Sequence, residues 1–211
     1  MLKFIQHNSP LLLVSRQFKF SKIGDVVLFL FHKLYENPNN YYRTTKIAIN
    51  VGELFPAGYE AELVEIGNLP LFNQDYEEEG NTPEEYTTFR NAIKEMDAVL
   101  FVTPEYNRSF SAALKNALDV GSRPYGESTW NGKPAAIISQ SPGNLSGFGA
   151  NHHLRQVLTF LNMPIVQQPE VYLANSFELF DDNGKFKDEE TVQFLQSFVD
   201  VFVDLINKHN S

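Results

Sequence analysis

At 211 residues, 43% hydrophobic and 20% charged, the chain has the composition of an ordinary globular protein and enough length for one α/β domain with a full core. Its formal charge of −9 argues against a nucleic-acid partner, because phosphate binding needs a basic surface that releases counterions. It contains no cysteine, which excludes disulfides, thiolate nucleophiles, iron–sulfur ligation and cysteine–zinc sites, so any electrons it moves must travel on a bound cofactor.

The beginning of the chain differs from the rest. Residues 1–50 carry seven Lys/Arg against two Asp/Glu, leaving ten against twenty-four for residues 51–211. Residues 1–24 hold no acid and form an atypical N-terminal segment, and residues 25–211 are expected to be one domain. The apolar patch LLLV is too short for a secretory signal core, so the chain is expected to be cytoplasmic. VVLFLF, Val26 to Phe31, is the longest apolar run; it falls short of the roughly 20 residues a bilayer span needs, and no membrane partner is expected.

VVLFLF reads as a first strand, and YRTTKIAINVGELF, Tyr42 to Phe55, as a first helix, although its β-branched residues are poor helix formers. AELVEI, Ala61 to Ile66, follows as a strand. QDYEEEGN reads as a solvated acidic loop, and NTPEEYTTFRNAIKEM as a helix capped by Thr82 with Pro83 in its first turn. DAVLFVT is a continuous apolar strand, and FSAALKNALDVG a small-residue helix closed by Gly121. KPAAIISQ is a strand, ANHHLRQVLTFLN a helix, and PIVQQPEVYL an extended segment ending in a strand. After the turn DDNGKF, the last helix sets Val192, Leu195, Phe198, Val199, Phe202 and Leu205 along one face. Doubly apolar strands alternating with helices predict a parallel sheet covered on both sides.

In such sheets ligands bind outside the carboxyl ends of the strands. Two loops leave strands at that edge: TPEYNRS after DAVLFV, and QSPGNLSGFG after AAIIS. The first offers Pro104, Glu105, Tyr106 and Asn107, an aromatic face with carboxylate and amide groups. The second is rich in Gly and Ser, so its backbone can approach a ligand closely and aim N–H groups at polar edges. Together they fit the two sides of a flat heteroaromatic ring; equally, both read as tight strand-to-helix turns.

Other motifs fail on geometry. GESTWNGKP has one residue too many for a phosphate loop, Pro134 where Ser or Thr should bind magnesium, and a strand rather than a helix after it. GNLSG is not the G-x-S-x-G of a nucleophile elbow. Adjacent His152 and His153 point about 100° apart on a helix, which suits solvent or an interface better than one metal.

Several linked motifs give a sharper reading. P-E-Y-N at Pro104–Asn107, L-K-N-A-L-D at Leu114–Asp119, G-K-P at Gly132–Pro134, Ser141 with Gly143, and Leu154 with Arg155 occur in the order found in the NADPH-dependent FMN reductase family, which includes flavodoxin-like quinone and chromate reductases. The chain resembles that family over roughly residues 52 to 205. The resemblance implies a flavodoxin-like, doubly wound, five-stranded parallel sheet with helices on both faces. It also implies FMN and NAD(P)H as cofactors and hydride transfer through FMN to a small-molecule acceptor: a quinone, free flavin, an azo compound or a metal oxyanion. By the same resemblance Pro104, Glu105, Tyr106 and Asn107 line the isoalloxazine, Ser141, Gly143 and Gly147 close its other side, and the protein is a homodimer or homotetramer. Arg123, Tyr125 and Trp130 are candidates for that contact.

Two positions depart from the family pattern. Ser146 stands where paired glycines are usual. Upstream, the family has a Gly-Ser loop ending in Asn-Arg, whose donors and helix N-terminus hold the FMN phosphate. Here Arg43 falls on the motif arginine, Tyr42 on the asparagine, and HKLYENP, His32 to Pro38, replaces the glycines with residues that lack their freedom at positive φ. A second reading is therefore an electron carrier or a paralogue that no longer holds FMN. A third, a hydrolase using Ser141 or Ser146 with His152, lacks the elbow.

Overall fold

The computed structural model describes residues 26–31, 43–78 and 80–210, with residues 26–31 and Glu78 described through their backbone. The segment 1–24, the HKLYENP loop and Tyr42 lie outside the described residues.

Along the chain run β1 (Val26–Phe31), α1 (Arg43–Gly52), β2 (Glu60–Glu65), α2 (Asp75–Glu78), α3 (Glu84–Lys94), β3 (Ala98–Pro104), α4 (Ala112–Gly121), β4 (Ala135–Gln140), α5 (Phe148–Phe160), β5 (Val171–Leu173) and α6 (Glu189–Asn210). The strands pair in parallel in the order β2-β1-β3-β4-β5. The chain runs from β1 out to β2, and the next connection crosses back past β1 to β3, so the strand order reverses beside β1, the place where such sheets bind ligands at their carboxyl ends. The run AVLFV is apolar throughout because β3 is interior to the sheet and buried on both faces.

Alternation along β3 and β4 feeds two cores. Val99, Phe101, Ala135 and Ile137 point to the side packed by α3, α4 and α5. Ala98, Leu100, Val102, Ala136 and Ile138 point to the side packed by α1 and α6. The apolar stripe of α6 is as its spacing predicts: Leu195, Phe198, Val199 and Phe202 are buried, with Ile206 joining them and Val192 and Leu205 half-buried.

Four local expectations are corrected. Thr82 does not cap α3: its hydroxyl lies 3.5 Å from the Tyr76 carbonyl, and Pro83 occupies the cap position without a side-chain bond. Gly121 does end α4, as expected, but without the left-handed conformation of a glycine stop, and a Cβ there would come within 2.6 Å of the Trp130 indole. Trp130 is fully buried against Phe89 and Phe101 and donates Nε1–H to the Leu118 carbonyl, so it belongs to the chain's own core rather than to a subunit contact. Finally, the acidic loop is partly helical as α2. Its Glu77 is a half-buried brace, taking Arg90 NH2 on one carboxylate oxygen at 2.5 Å and Arg123 Nε on the other at 3.0 Å. Arginines far along the chain decide that geometry, and three consecutive acids do not announce it.

Candidate functional site at the carboxyl edge of the sheet

Register places the two loops side by side. Pro104 ends β3 opposite Gln140 at the end of β4, and Glu105 N–H donates to the Gln140 carbonyl at 3.0 Å. Beyond Glu105 the backbone reverses in two residues: Tyr106 and Ser109 exchange both of their N–H···O bonds, at 2.8 and 3.0 Å. Asn107 and Arg108 hold φ of 49° and 68° between them, the left-handed pair of a type I′ turn. Asn tolerates this conformation; Arg108 adopts it at a cost. The apolar strand thus breaks into a minimal hairpin, with Tyr106 52% exposed and Asn107 exposed at its tip.

The Glu105 side chain turns inward. It is 8% exposed, and its carboxylate accepts the Ala150 N–H in the first turn of α5. Arg108 NH1 lies 3.7 Å from the other carboxylate oxygen. The hairpin also sits directly on that turn, since a Cβ at Gly149 would fall 2.8 Å from the Arg108 carbonyl oxygen. Hairpin and helix are therefore braced against each other. Sequence reasoning identified Glu105 but not this bracing role, and it passed over Gly149; the run GFGA was the available signal.

The second loop is shaped by its own polar groups. Ser141 Oγ accepts the Gly143 N–H at 3.2 Å, and Ser146 donates to the Asn144 carbonyl at 2.9 Å. Ser146 and Gly147 are consecutive left-handed residues, φ 59° and 86°, so the serine in place of a glycine carries strain at that point. Gly147 is buried, and a Cβ there would meet the Gln140 amide nitrogen at 2.9 Å; Gly143 is exposed, and a Cβ there would only touch Ser141 Oγ at 3.8 Å.

A third segment completes the edge. After β5, Ser176 N–H donates to the Ser141 carbonyl, while Arg43, first residue of α1, stacks its guanidinium 3.6 Å from the centre of the Phe177 ring. Gln140 reaches the first turn of α1, its Nε2 lying 3.4 Å from Thr44 Oγ1. Among the described residues two buried polar atoms are without hydrogen-bond partners: Gln140 Oε1 and Ser176 Oγ. Pro104, Glu105, Tyr106, Asn107, Ser141, Gly143, Gly147 and Arg43 thus occupy loops and a helix start at one sheet edge. Gln140, Ser176 and Phe177 join them without having been anticipated, because neither a strand-end glutamine nor a loop phenylalanine has a motif.

The histidines face away from one another. His152 Nε2 is 3.1 Å from the Tyr172 hydroxyl, and His153 Nδ1 is 3.1 Å from Ser109 Oγ. Neither Ser141 nor Ser146 is the partner of His152, which leaves the hydrolase reading without its dyad. No group of three metal-ligating side chains occurs among the described residues, and no helix among them is long and apolar enough to cross a membrane.

Comparison with known proteins agrees with this architecture. The chain is 55% identical to a quinone reductase of Pseudomonas putida over 161 residues, covering 76% of this chain and 86% of that protein. It is 41% identical to a 2-hydroxy-1,4-benzoquinone reductase of a Burkholderia species over 157 residues, 74% of this chain and 85% of that protein. Among solved structures, the flavoenzyme NAD(P)H:(acceptor) oxidoreductase FerB of Paracoccus denitrificans superposes with a TM-score of 0.77 at 36% identity, covering 89% of this chain and 99% of that one. The fold is therefore the α/β flavodoxin-like one. The model of the family described as NADPH-dependent FMN reductase matches residues 37–178, beginning upstream of the motifs read in the sequence and ending before α6. The chain belongs to the NADPH-dependent FMN reductase family.

Proposed function

We propose that the chain is an FMN-dependent NAD(P)H:quinone oxidoreductase whose flavin lies across the carboxyl edge of the sheet. The observation that carries this reading is the convergence there of the Tyr106–Ser109 hairpin, the Ser141–Gly147 loop and the start of α1. Family membership and the quinone reductases at 55% and 41% identity support it.

The residues present fit such a group. An exposed tyrosine beside a fixed proline offers a flat apolar wall, the open Gly143 leaves room for close backbone approach, and the unpartnered Gln140 Oε1 and Ser176 Oγ offer buried polar atoms beside the phosphate end. Pro104, Tyr106 and Asn107 would hold one side of the ring system; Ser141, Gly143 and Gly147 the other; Arg43 and the N-terminus of α1 would take the phosphate. Glu105 would act at one remove, fixing hairpin and helix against each other. When bound, FMN supplies a two-electron relay, taking a hydride from NAD(P)H and passing two electrons to the acceptor. The protein's contribution is position: backbone donors held rigidly at the ring's polar edge, and an open face onto which nicotinamide and acceptor bind in turn.

Quinones are the acceptors this reading puts first; free flavin, azo compounds and metal oxyanions are further candidates for the same open face. The reading takes residues 25–211 as one flavin-binding domain. It also includes a homodimer or homotetramer, for which a groove of about 640 Å³ between α4 and α5, bordered by the exposed Phe160, is the place for a second copy to meet.

The test is the visible spectrum of the purified chain after incubation with excess FMN and desalting. Retained flavin that is bleached anaerobically by NAD(P)H and reoxidised by a quinone is the expected result. A folded protein that stays colourless, or that holds FMN without steady NAD(P)H oxidation, overturns it.

A further inference from the structure

The contact between Arg43 and Phe177 has no place in the motifs, yet it joins two ends of the candidate site. Phe177 is held by its backbone. Ser176, 1% exposed, is tied by its N–H to the Ser141 carbonyl, Asn175 is left-handed at φ 46°, and Glu178 N–H closes the turn onto the Asn175 carbonyl at 2.8 Å. The Phe177 ring is therefore presented at a fixed place, and it remains 66% exposed on a protein that buries most of its large apolar side chains. What it covers is one face of the Arg43 guanidinium, at 3.6 Å.

An arginine stacked through its face keeps its N–H donors free, because they lie in the guanidinium plane. The stack fixes where those donors point, and a flexible side chain at a helix start otherwise pays rotamer entropy to hold one geometry. The same corner shows an independent sign of an expected ligand: Gln140, 6% exposed, bonds Thr44 in the first turn of α1, and its Oε1 has no partner among the described residues. A buried acceptor beside a helix N-terminus and an arginine suits a phosphorylated chain bearing hydroxyls, in which phosphate takes the cationic donors and a hydroxyl takes the amide oxygen.

We propose that Phe177 is a positioning residue for phosphate recognition: by stacking on Arg43 it aims the guanidinium edge at the terminal phosphate of the flavin and so sets the preference for FMN over riboflavin. The proposal rests on the flavin reading above, and it concerns only the phosphate end.

The experiment titrates the flavin-free protein with FMN and, separately, with riboflavin, following quenching of flavin fluorescence. Wild-type protein is expected to bind FMN more tightly than riboflavin. Phe177→Ala is expected to weaken FMN binding about threefold to fivefold while leaving riboflavin binding unchanged, and Phe177→Trp, which restores an aromatic face, to recover the preference. Thermal unfolding of Phe177→Ala should match wild type, as the side chain is exposed. A Phe177→Ala protein with an unaltered ratio of the two affinities overturns the proposal, as does one that loses both flavins equally, which would mark a packing role. Wild-type protein binding both flavins alike overturns the phosphate site together with this proposal; wild-type protein binding neither overturns the flavin reading itself.

Discussion

The Glu105 carboxylate accepts the backbone N–H of Ala150 at 3.0 Å, so a side chain from the loop after β3 caps the helix that follows β4. Helix α5 cannot cap itself, because its own cap residue is Gly147, which has no side chain. A carboxylate also suits the positive end of the helix dipole better than a neutral acceptor. Glu105→Ala is expected to destabilise the protein by about 1–2 kcal/mol, and Glu105→Gln, which keeps an oxygen acceptor but not the charge, by less than half of that. Urea unfolding of the three proteins, with m unchanged, reads this directly. An Ala variant as stable as wild type would mean that the two loops are held together by other contacts.

Glycines on this edge should divide by what lies beside them. A methyl group at Gly149 would press on the Arg108 carbonyl at 2.8 Å, and one at Gly147 on the Gln140 amide nitrogen at 2.9 Å, from a backbone already at φ 86°. At Gly143 the nearest atom is 3.8 Å away. Gly149→Ala and Gly147→Ala are each expected to cost about 1–3 kcal/mol and to reduce FMN retained after desalting, whereas Gly143→Ala should unfold at the wild-type temperature. Equal behaviour of all three in thermal unfolding would contradict the distances.

Much of the scaffold was legible because its signals are local. The unbroken apolar runs at β3 and β4 and the spaced apolar face of α6 each need only their own residues to be read. What escaped depends on distant partners. Glu77 reads as a solvated acid until Arg90 and Arg123 arrive from α3 and the loop after α4. Gly121 marks the end of α4, but nothing local says that Trp130 packs where its Cβ would stand. At the site, the P-E-Y-N motif marked the right loop, but nothing in its letters says that Asn107 and Arg108 form a two-residue reversal or that Glu105 points inward. Phe177 belongs to a loop with no motif, and its partner lies more than a hundred residues earlier in the chain.

The Gly121–Trp130 contact gives a sharp stability test. The indole lies where a Cβ would stand, at 2.6 Å, and it is fixed from its other side by Phe89 and Phe101 and by its bond to the Leu118 carbonyl, so it has little room to retreat. Gly121→Ala gains about 1 kcal/mol of helix propensity yet is expected to lose about 2–3 kcal/mol overall through overpacking. Because Trp130 is the chain's single tryptophan, its emission reports the site alone and should shift to the red as the ring is displaced toward water. A variant that is more stable than wild type, with unchanged emission, would show that the ring can yield.

Tyr172 links the outer face of α5 to β5 and predicts a window of alkaline sensitivity. Its hydroxyl bonds Glu170 and lies 3.1 Å from His152 Nε2, and the Glu170 carboxylate is also 3.4 Å from Arg155. Burial first, and then the hydrogen bond to Glu170, push the phenol up from 10.0 to about 12. In the unfolded chain Tyr172 ionises near its ordinary value, so between about pH 10 and about pH 12 the unfolded state holds fewer protons than the folded state. Stability contributed by this phenol is therefore full below pH 10 and is lost as pH rises through 12. The stability difference between wild type and Tyr172→Phe, measured by urea unfolding at a series of pH values, should be constant up to the lower limit and then fall steadily. Parallel stability curves across the window would mean that the phenol titrates alike in both states and that the Glu170 contact does not hold its proton.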